Sequence, residues 1–187
     1  LSLSTGIALQ AVYARKLAQA GKAPGAIAEK VKGVRPSVRP SAGDFMRLSG
    51  LEAFRFGGGE VPVCAVTNSE LNPQFAEMIA GGDYDSAMCL ASEALCSGLD
   101  ILNINMDAVG PGRGEAMGKF VRYIMMDLSV SRAALMIESS DAGVLAEGLK
   151  NAQGRCLACC HGHCDREYFE NAFGAVVTDA DSVRKII

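Results

Sequence analysis

Residues 99–107 read Leu99-Asp100-Ile101-Leu102-Asn103-Ile104-Asn105-Met106-Asp107, and their alternation decides the fold class. Asn103, Asn105 and Asp107 interleave with Leu102, Ile104 and Met106, so an extended chain sends the three polar groups to one face and the three apolar ones to the other. A second stretch repeats the theme: Ala133-Ala134-Leu135-Met136-Ile137 is apolar, Glu138-Ser139-Ser140 is polar, and a helix-forming segment follows at once. Apolar strands that end in polar groups are how a parallel α/β protein presents a site.

Outward from these two strands, the chain from Val61 alternates between strand and helix patterns. Strands are expected at 61–66, 101–105, 133–137, 156–160 and 175–178, and helices at 71–80, 84–97, 114–127, 142–150 and 166–172, with a closing helical start at 181–187. Such alternation implies right-handed βαβ units and a parallel sheet. Five strands fall short of the eight of a closed barrel. Upstream, Ile7, Val12, Leu17 and Ile27, Val31 recur at helical intervals over 6–20 and 24–33, with Gly21 and Gly33 as stops. Between these parts lie Pro36, Pro40, Gly43, Gly50 and Gly57-Gly58-Gly59, which read as a linker. The expected organisation is a helical tail at 1–33, a Pro/Gly linker at 34–60 and an α/β unit at 61–187.

Composition narrows the class further. With 187 residues, 49% of them apolar, the chain can bury a core, and its net charge of −3 with scattered Lys and Arg gives no basic footprint for nucleic acid or an anionic membrane. The apolar run at 6–14 is short, lacks a basic lead-in and is followed by Arg15-Lys16, so neither a signal peptide nor a membrane span is expected. Seven cysteines without regular spacing fit a reducing, cytoplasmic setting better than a disulfide framework. The first residue is Leu, and the chain reads as a fragment.

Several local features have both a chemical and a structural reading. Cys156-Leu157-Ala158-Cys159-Cys160-His161-Gly162-His163-Cys164 gathers four of the seven cysteines and both histidines, a soft donor set suited to zinc or copper. The same run falls where a buried strand and its loop should be, so a reduced Cys-rich strand with incidental histidines is the competing reading. Ser139 and Ser140 before Asp141 are also good N-caps for the next helix, and Asn105 and Asp107 suit a turn or cap at a strand end. Gly110-Pro111-Gly112-Arg113-Gly114 could seat an anion at a helix start but lacks the Lys-Ser/Thr of a phosphate loop. The eight methionines, Met125-Met126 included, read as core filler.

Taken in order, Arg47-Leu48-Ser49-Gly50-Leu51-Glu52, Thr67-Asn68, Gly82-Asp83-Tyr84-Asp85, Asn103-Ile104-Asn105-Met106-Asp107, Glu115-Ala116-Met117, Met136-Ile137-Glu138-Ser139-Ser140, Gly148-Leu149-Lys150 and Gln153-Gly154 carry a resemblance. The set resembles the entry into the pterin-binding barrel of cobalamin-dependent methionine synthases. Ala26-Ile27-Ala28-Glu29-Lys30-Val31-Lys32-Gly33 is similar to the last helix of the homocysteine-binding domain that precedes that barrel, and Ala180-Asp181-Ser182 with Arg184-Lys185-Ile186 to a later barrel helix. The resemblance implies a partial (β/α) TIM-type barrel of the dihydropteroate-synthase-like kind, with an N-terminal helical appendage and linker. It implies 5-methyltetrahydrofolate as substrate, cobalamin on a separate domain as methyl acceptor and partner, and zinc in a homocysteine site. Asn68, Asn103, Asn105, Asp107, Glu138 and Ser139 are then the expected pterin contacts, since the heterocycle needs paired donors and acceptors in an apolar cleft.

The same alignment of motifs shows departures. Ala65-Val66-Thr67-Asn68 stands where the family has Glu-Arg-Thr-Asn, Asn103 where it has Asp, and Glu138 where it has the shorter Asp. The family's Asn-Ser on the fourth strand has become Ala158-Cys159-Cys160, later strands are missing, and no cysteine precedes Cys64 to bind zinc. The expectation is a folate-binding methyltransferase fragment that transfers no methyl group alone. The alternative is a non-catalytic α/β remnant, or a small metal-binding module built on 156–164.

Overall fold

The computed structural model describes residues 46–57, 61–161, 164–179 and 183–187, without the side chains of Arg184 and Ile186. The expected helices at 6–20 and 24–33, and the first part of the expected linker, lie outside the described residues, as does His163.

Residues 44–187 form one compact unit. Its elements run β1 (Met46–Ser49), β2 (Ala53–Phe56), β3 (Val61–Asn68), α1 (Pro73–Gly81), α2 (Tyr84–Leu95), β4 (Ile101–Asn105), a 3-10 turn (Asp107–Val109), α3 (Arg113–Ile124), α4 (Leu128–Ser131), β5 (Ala134–Ser139), α5 (Ala142–Asn151), β6 (Leu157–Cys160), α6 (Arg166–Phe173), β7 (Val176–Thr178) and β8 (Val183–Ile186). Six strands make one sheet in the order β7-β6-β5-β4-β3-β8. Every pairing in it is parallel.

The five expected strands and the helices between them are present, and every helix but α3, whose cap position is Gly112, opens on a side-chain cap. Asn72, Asp83, Asp127, Asp141 and Asp165 each accept a backbone N–H of the helix they open. Asp141 is therefore the cap of α5, a place the sequence gives equally to Ser139 or Ser140. Asp127 caps α4, which ends α3 earlier than expected. The helices pack on one side of the sheet through Phe75, Phe120, Ile124, Leu145 and Phe169, with the Phe75 and Phe120 rings edge to face at 5.2 Å. Met106, Met117 and Met136 are core residues, whereas Met126 is 74% exposed, so the methionines are not uniformly core filler.

Two expectations are corrected. Residues 183–186 are a strand, not the start of a helix, and they pair with β3 from Val61↔Val183 to Cys64↔Ile186. Val-Arg-Lys-Ile is too short for its period to separate helix from strand, and the free edge of β3 supplies the ladder that decides. Residues 46–56 are not linker but an antiparallel hairpin, with Leu48 2% exposed. Backbone bonds help to anchor it: Ser49 and Arg155 exchange N–H···O bonds of 3.0 and 2.9 Å, and Leu51 N donates to Ser131 O at 2.9 Å. Gly50 makes this approach possible, since a Cβ there would stand 2.1 Å from Ala133 O.

The sheet is rolled. Lys185 on β8 and Glu138 on β5 are three strand spacings apart, about 14 Å across a flat sheet, yet Lys185 Nζ lies 2.5 Å from Glu138 Oε1. Strand alternation then divides the core in two. Cys64, Leu102, Ile104, Leu135, Ile137, Ala158 and Val177 face the helices. Val61, Val63, Ile101, Ala134, Met136, Leu157 and Cys159 line the concave side, where Leu48, Phe54 and Phe56 of the hairpin close the lower end. No helix among the described residues is long and apolar enough to cross a membrane.

Candidate functional site

Polar groups collect at the upper end of the concave side, at the C-terminal ends of the strands. Register explains why. Asn68 pairs with Asn105, Asn105 with Glu138, Glu138 with Cys159, and Cys159 with Thr178, so one row crosses five neighbouring strands. Residues in one row of a parallel sheet point the same way. Asn103 lies two residues below Asn105 on the same face, beside Met136.

Asn68 joins this row only through an irregularity. Cys64 pairs with Leu102 but Thr67 with Ile104, so β3 holds one extra residue between them. The extra residue reverses the alternation, which turns Asn68 inward.

Glu138 is the centre of the cluster and is fully buried. Its Oε2 accepts from Asn103 Nδ2 at 2.7 Å and Asn68 Nδ2 at 3.2 Å. Its Oε1 meets His161 Nε2 and Lys185 Nζ, each at 2.5 Å. Asn68 Nδ2 also donates to Asn103 Oδ1 at 2.7 Å, while Asn68 Oδ1 accepts the N–H groups of Glu70 and Leu71 and so turns the chain toward α1. Every oxygen of the buried carboxylate thus has two partners, one side neutral and the other cationic or imidazole. His161 is the open side, with 37% of its side chain exposed.

A second group sits on the rim. Asn105 is buried but donates to Glu70 Oε2 at 2.9 Å and accepts from Asp107 N at 2.7 Å, rather than touching Glu138. Ser139 donates to Asp107 Oδ1 and Ser140 N to Oδ2, both at 2.6 Å. Burial acts to raise the Asp107 pKa, but these bonds, with Arg113 nearby, outweigh it and hold the carboxyl below its ordinary value. Of the six expected pterin contacts, Asn68, Asn103 and Glu138 converge. Asn105, Asp107 and Ser139 form the adjoining rim, where Asp107 and Ser139 serve as turn and strand-end partners.

The Cys/His run is divided by its own strand. Cys156 faces the helices and Cys159 the concave side, so the C-x2-C pair does not converge. Burial pushes both thiols up to about 12, with the Glu138 charge adding to the effect at Cys159. Cys159 instead joins Glu138 and His161, with the three donor atoms all within 4.8 Å of one another. Lys185 carries no local signal of its role, since the pattern at 181–187 predicts a helical start, and His161 stands in the sequence among the cysteines, far from Glu138. A separate cleft, lined by Glu52, Phe54, Leu95, Leu99 and Arg132, opens beside the N-terminal ends of β4 and β5, away from the strand-end polar row. No protein-family model matches this sequence.

Proposed function

We propose that the concave mouth binds the pterin end of a folate, in the manner of a methionine synthase-type pterin barrel of which this unit is the first part, and that the chain alone does not transfer the methyl group. The observation that carries the reading is the meeting of Asn68, Asn103 and Glu138 at 2.7 to 3.2 Å on the inner side of a rolled parallel sheet. A carboxylate flanked by two amides is complementary to a pterin edge, whose amino and ring N–H groups need acceptors and whose carbonyl needs a donor. Binding would exchange the mutual bonds of these three side chains for bonds to the ring, with Asn105 and Glu70 at the border.

The same geometry favours binding without turnover. A carboxylate that is to promote protonation of the methyl-bearing nitrogen must present negative charge, and Lys185 Nζ already neutralises Glu138. Asn103 adds an amide where the resembled family has a second acid. The cobalt acceptor would be brought by a separate domain of the full protein.

Calorimetry of the full chain with 5-methyltetrahydrofolate tests the binding. Weak but measurable heat is expected, reduced about tenfold or more in affinity by Asn103→Ala, because a site built to hydrogen-bond loses a paired group. Absence of heat at millimolar ligand, or affinity indifferent to both Asn103→Ala and Asn105→Ala, would overturn it. With excess cob(I)alamin, demethylation should stay at the protein-free rate; a faster rate sensitive to Glu138→Gln would refute the second half.

A further inference from the structure

We infer that Glu138, Cys159 and His161 form a site for a single zinc-class divalent cation, in which Lys185 holds the cation's place until the metal arrives. The inference does not rest on the folate reading, since it concerns the metal alone.

Three observations carry it. First, the donors come from neighbouring strands in fixed register: Glu138 and Cys159 are direct partners across β5 and β6, and His161 lies two residues beyond Cys159. Second, their ligand atoms lie within 4.8 Å of one another. Bonds of about 2.0 to 2.3 Å in a tetrahedron place such atoms roughly 3.3 to 3.7 Å apart. Small side-chain shifts suffice, with His161 drawing back from Glu138 and Cys159 closing in. Third, the carboxylate is already oriented as a metal ligand usually is, its Oε2 held by Asn103 and Asn68 so that Oε1 alone faces the imidazole.

Carboxylate oxygen, imidazole nitrogen and thiolate sulfur together suit zinc, and three protein ligands leave a fourth position open. The half-exposed His161 is the entry side. On binding, the Cys159 thiol proton leaves to solvent and Lys185 withdraws from Oε1, because a divalent cation at that oxygen repels the ammonium beside it. Lys185 is therefore a competitor rather than a ligand, which separates this site from an ordinary cysteine cluster.

Chelator-stripped full-length chain is dialysed against zinc chloride, and cobalt(II) is used as a spectroscopic substitute. One equivalent of metal is expected, with a thiolate-to-cobalt charge-transfer band that Cys159→Ser abolishes. His161→Ala should weaken binding about tenfold or more. Lys185→Met, which removes no ligand, should tighten binding by about tenfold. The double variant Cys160→Ser, Cys164→Ser should bind like wild type. The inference fails if Cys159→Ser leaves metal affinity and the band unchanged, if the band is lost instead with Cys160 and Cys164, or if Lys185→Met weakens binding.

Discussion

The lower and upper halves of the concave side share the same strands but are filled by different physics. Below, Val61, Val63, Ile101, Ala134, Leu157 and the hairpin's Leu48 fill space with hydrocarbon, where each contact is small and non-directional. Above, Asn68, Asn103, Glu138, His161 and Lys185 fill it with directed bonds that converge on one carboxylate. The apolar half loses contacts in proportion to the group removed, and its neighbours close only part of the gap. In the polar half, every group removed also takes a bond from each of its partners. A sheet built in this way is a stable floor beneath a mouth whose order depends on one residue.

Removing that residue should have the largest effect. Glu138→Ala leaves the largely buried Lys185 ammonium without its counter-charge and takes one acceptor from each of two amides, which is expected to cost about 3 to 5 kcal/mol. Chemical denaturation measures it, and combining the change with Lys185→Met should recover a good part of the loss, since no unpaired charge then remains. A loss under about 1 kcal/mol for Glu138→Ala would show that the upper half is not organised around the carboxylate.

Leu48→Ala probes the lower half. The side chain is 2% exposed and is the most buried apolar group of the hairpin, which is also held by Phe54 and Phe56 and by backbone bonds through Ser49 and Leu51. The cavity left behind should cost about 2 to 4 kcal/mol. Because Leu48 takes no part in the hydrogen bonds that hold Glu138, combining it with Glu138→Gln should give additive losses within about 0.5 kcal/mol. Strong coupling between the two would mean that the floor and the mouth are one unit.

The contrast between the halves was partly legible in the sequence. Leu102 and Ile104 against Asn103 and Asn105 is a two-residue period that the strand reproduces, and Glu138 follows from the apolar strand that it ends. What could not be read has a physical cause in each case. Asn68 is expected in the site only through the resemblance, since its inward turn depends on a bulge in β3, which is a property of pairing with β4 and leaves no local mark. Lys185 reaches Glu138 only because residues 183–186 complete the edge of β3, a long-range choice that a four-residue run does not announce. The hairpin at 46–56 was hidden by glycines that look like linker residues, yet Gly50 is required by contact with Ala133 O. The C-x2-C spacing points to a shared ligand set only if both cysteines face one way, and the alternation of β6 sends Cys156 and Cys159 to opposite faces.

The smallest expected effect lies on the rim, where Asp107 is held by Ser139 and Ser140 outside the buried network. Its carboxyl titrates below its ordinary value, so the folded state prefers the ionised form. The sign follows: this stabilisation is fully present above the unfolded pKa near 3.9 and is lost as pH falls through the lower folded value. Partial exposure limits its size to about 1 kcal/mol. Asp107→Asn keeps one acceptor oxygen but removes the charge, so the variant should be less stable than wild type at pH 6 and should converge with it as pH falls below 3. Denaturation midpoints of the two proteins across that range provide the measurement. A gap that persists undiminished at the acid end would assign the Asp107 contribution to packing rather than charge, and would place the rim with the apolar floor instead of the polar mouth.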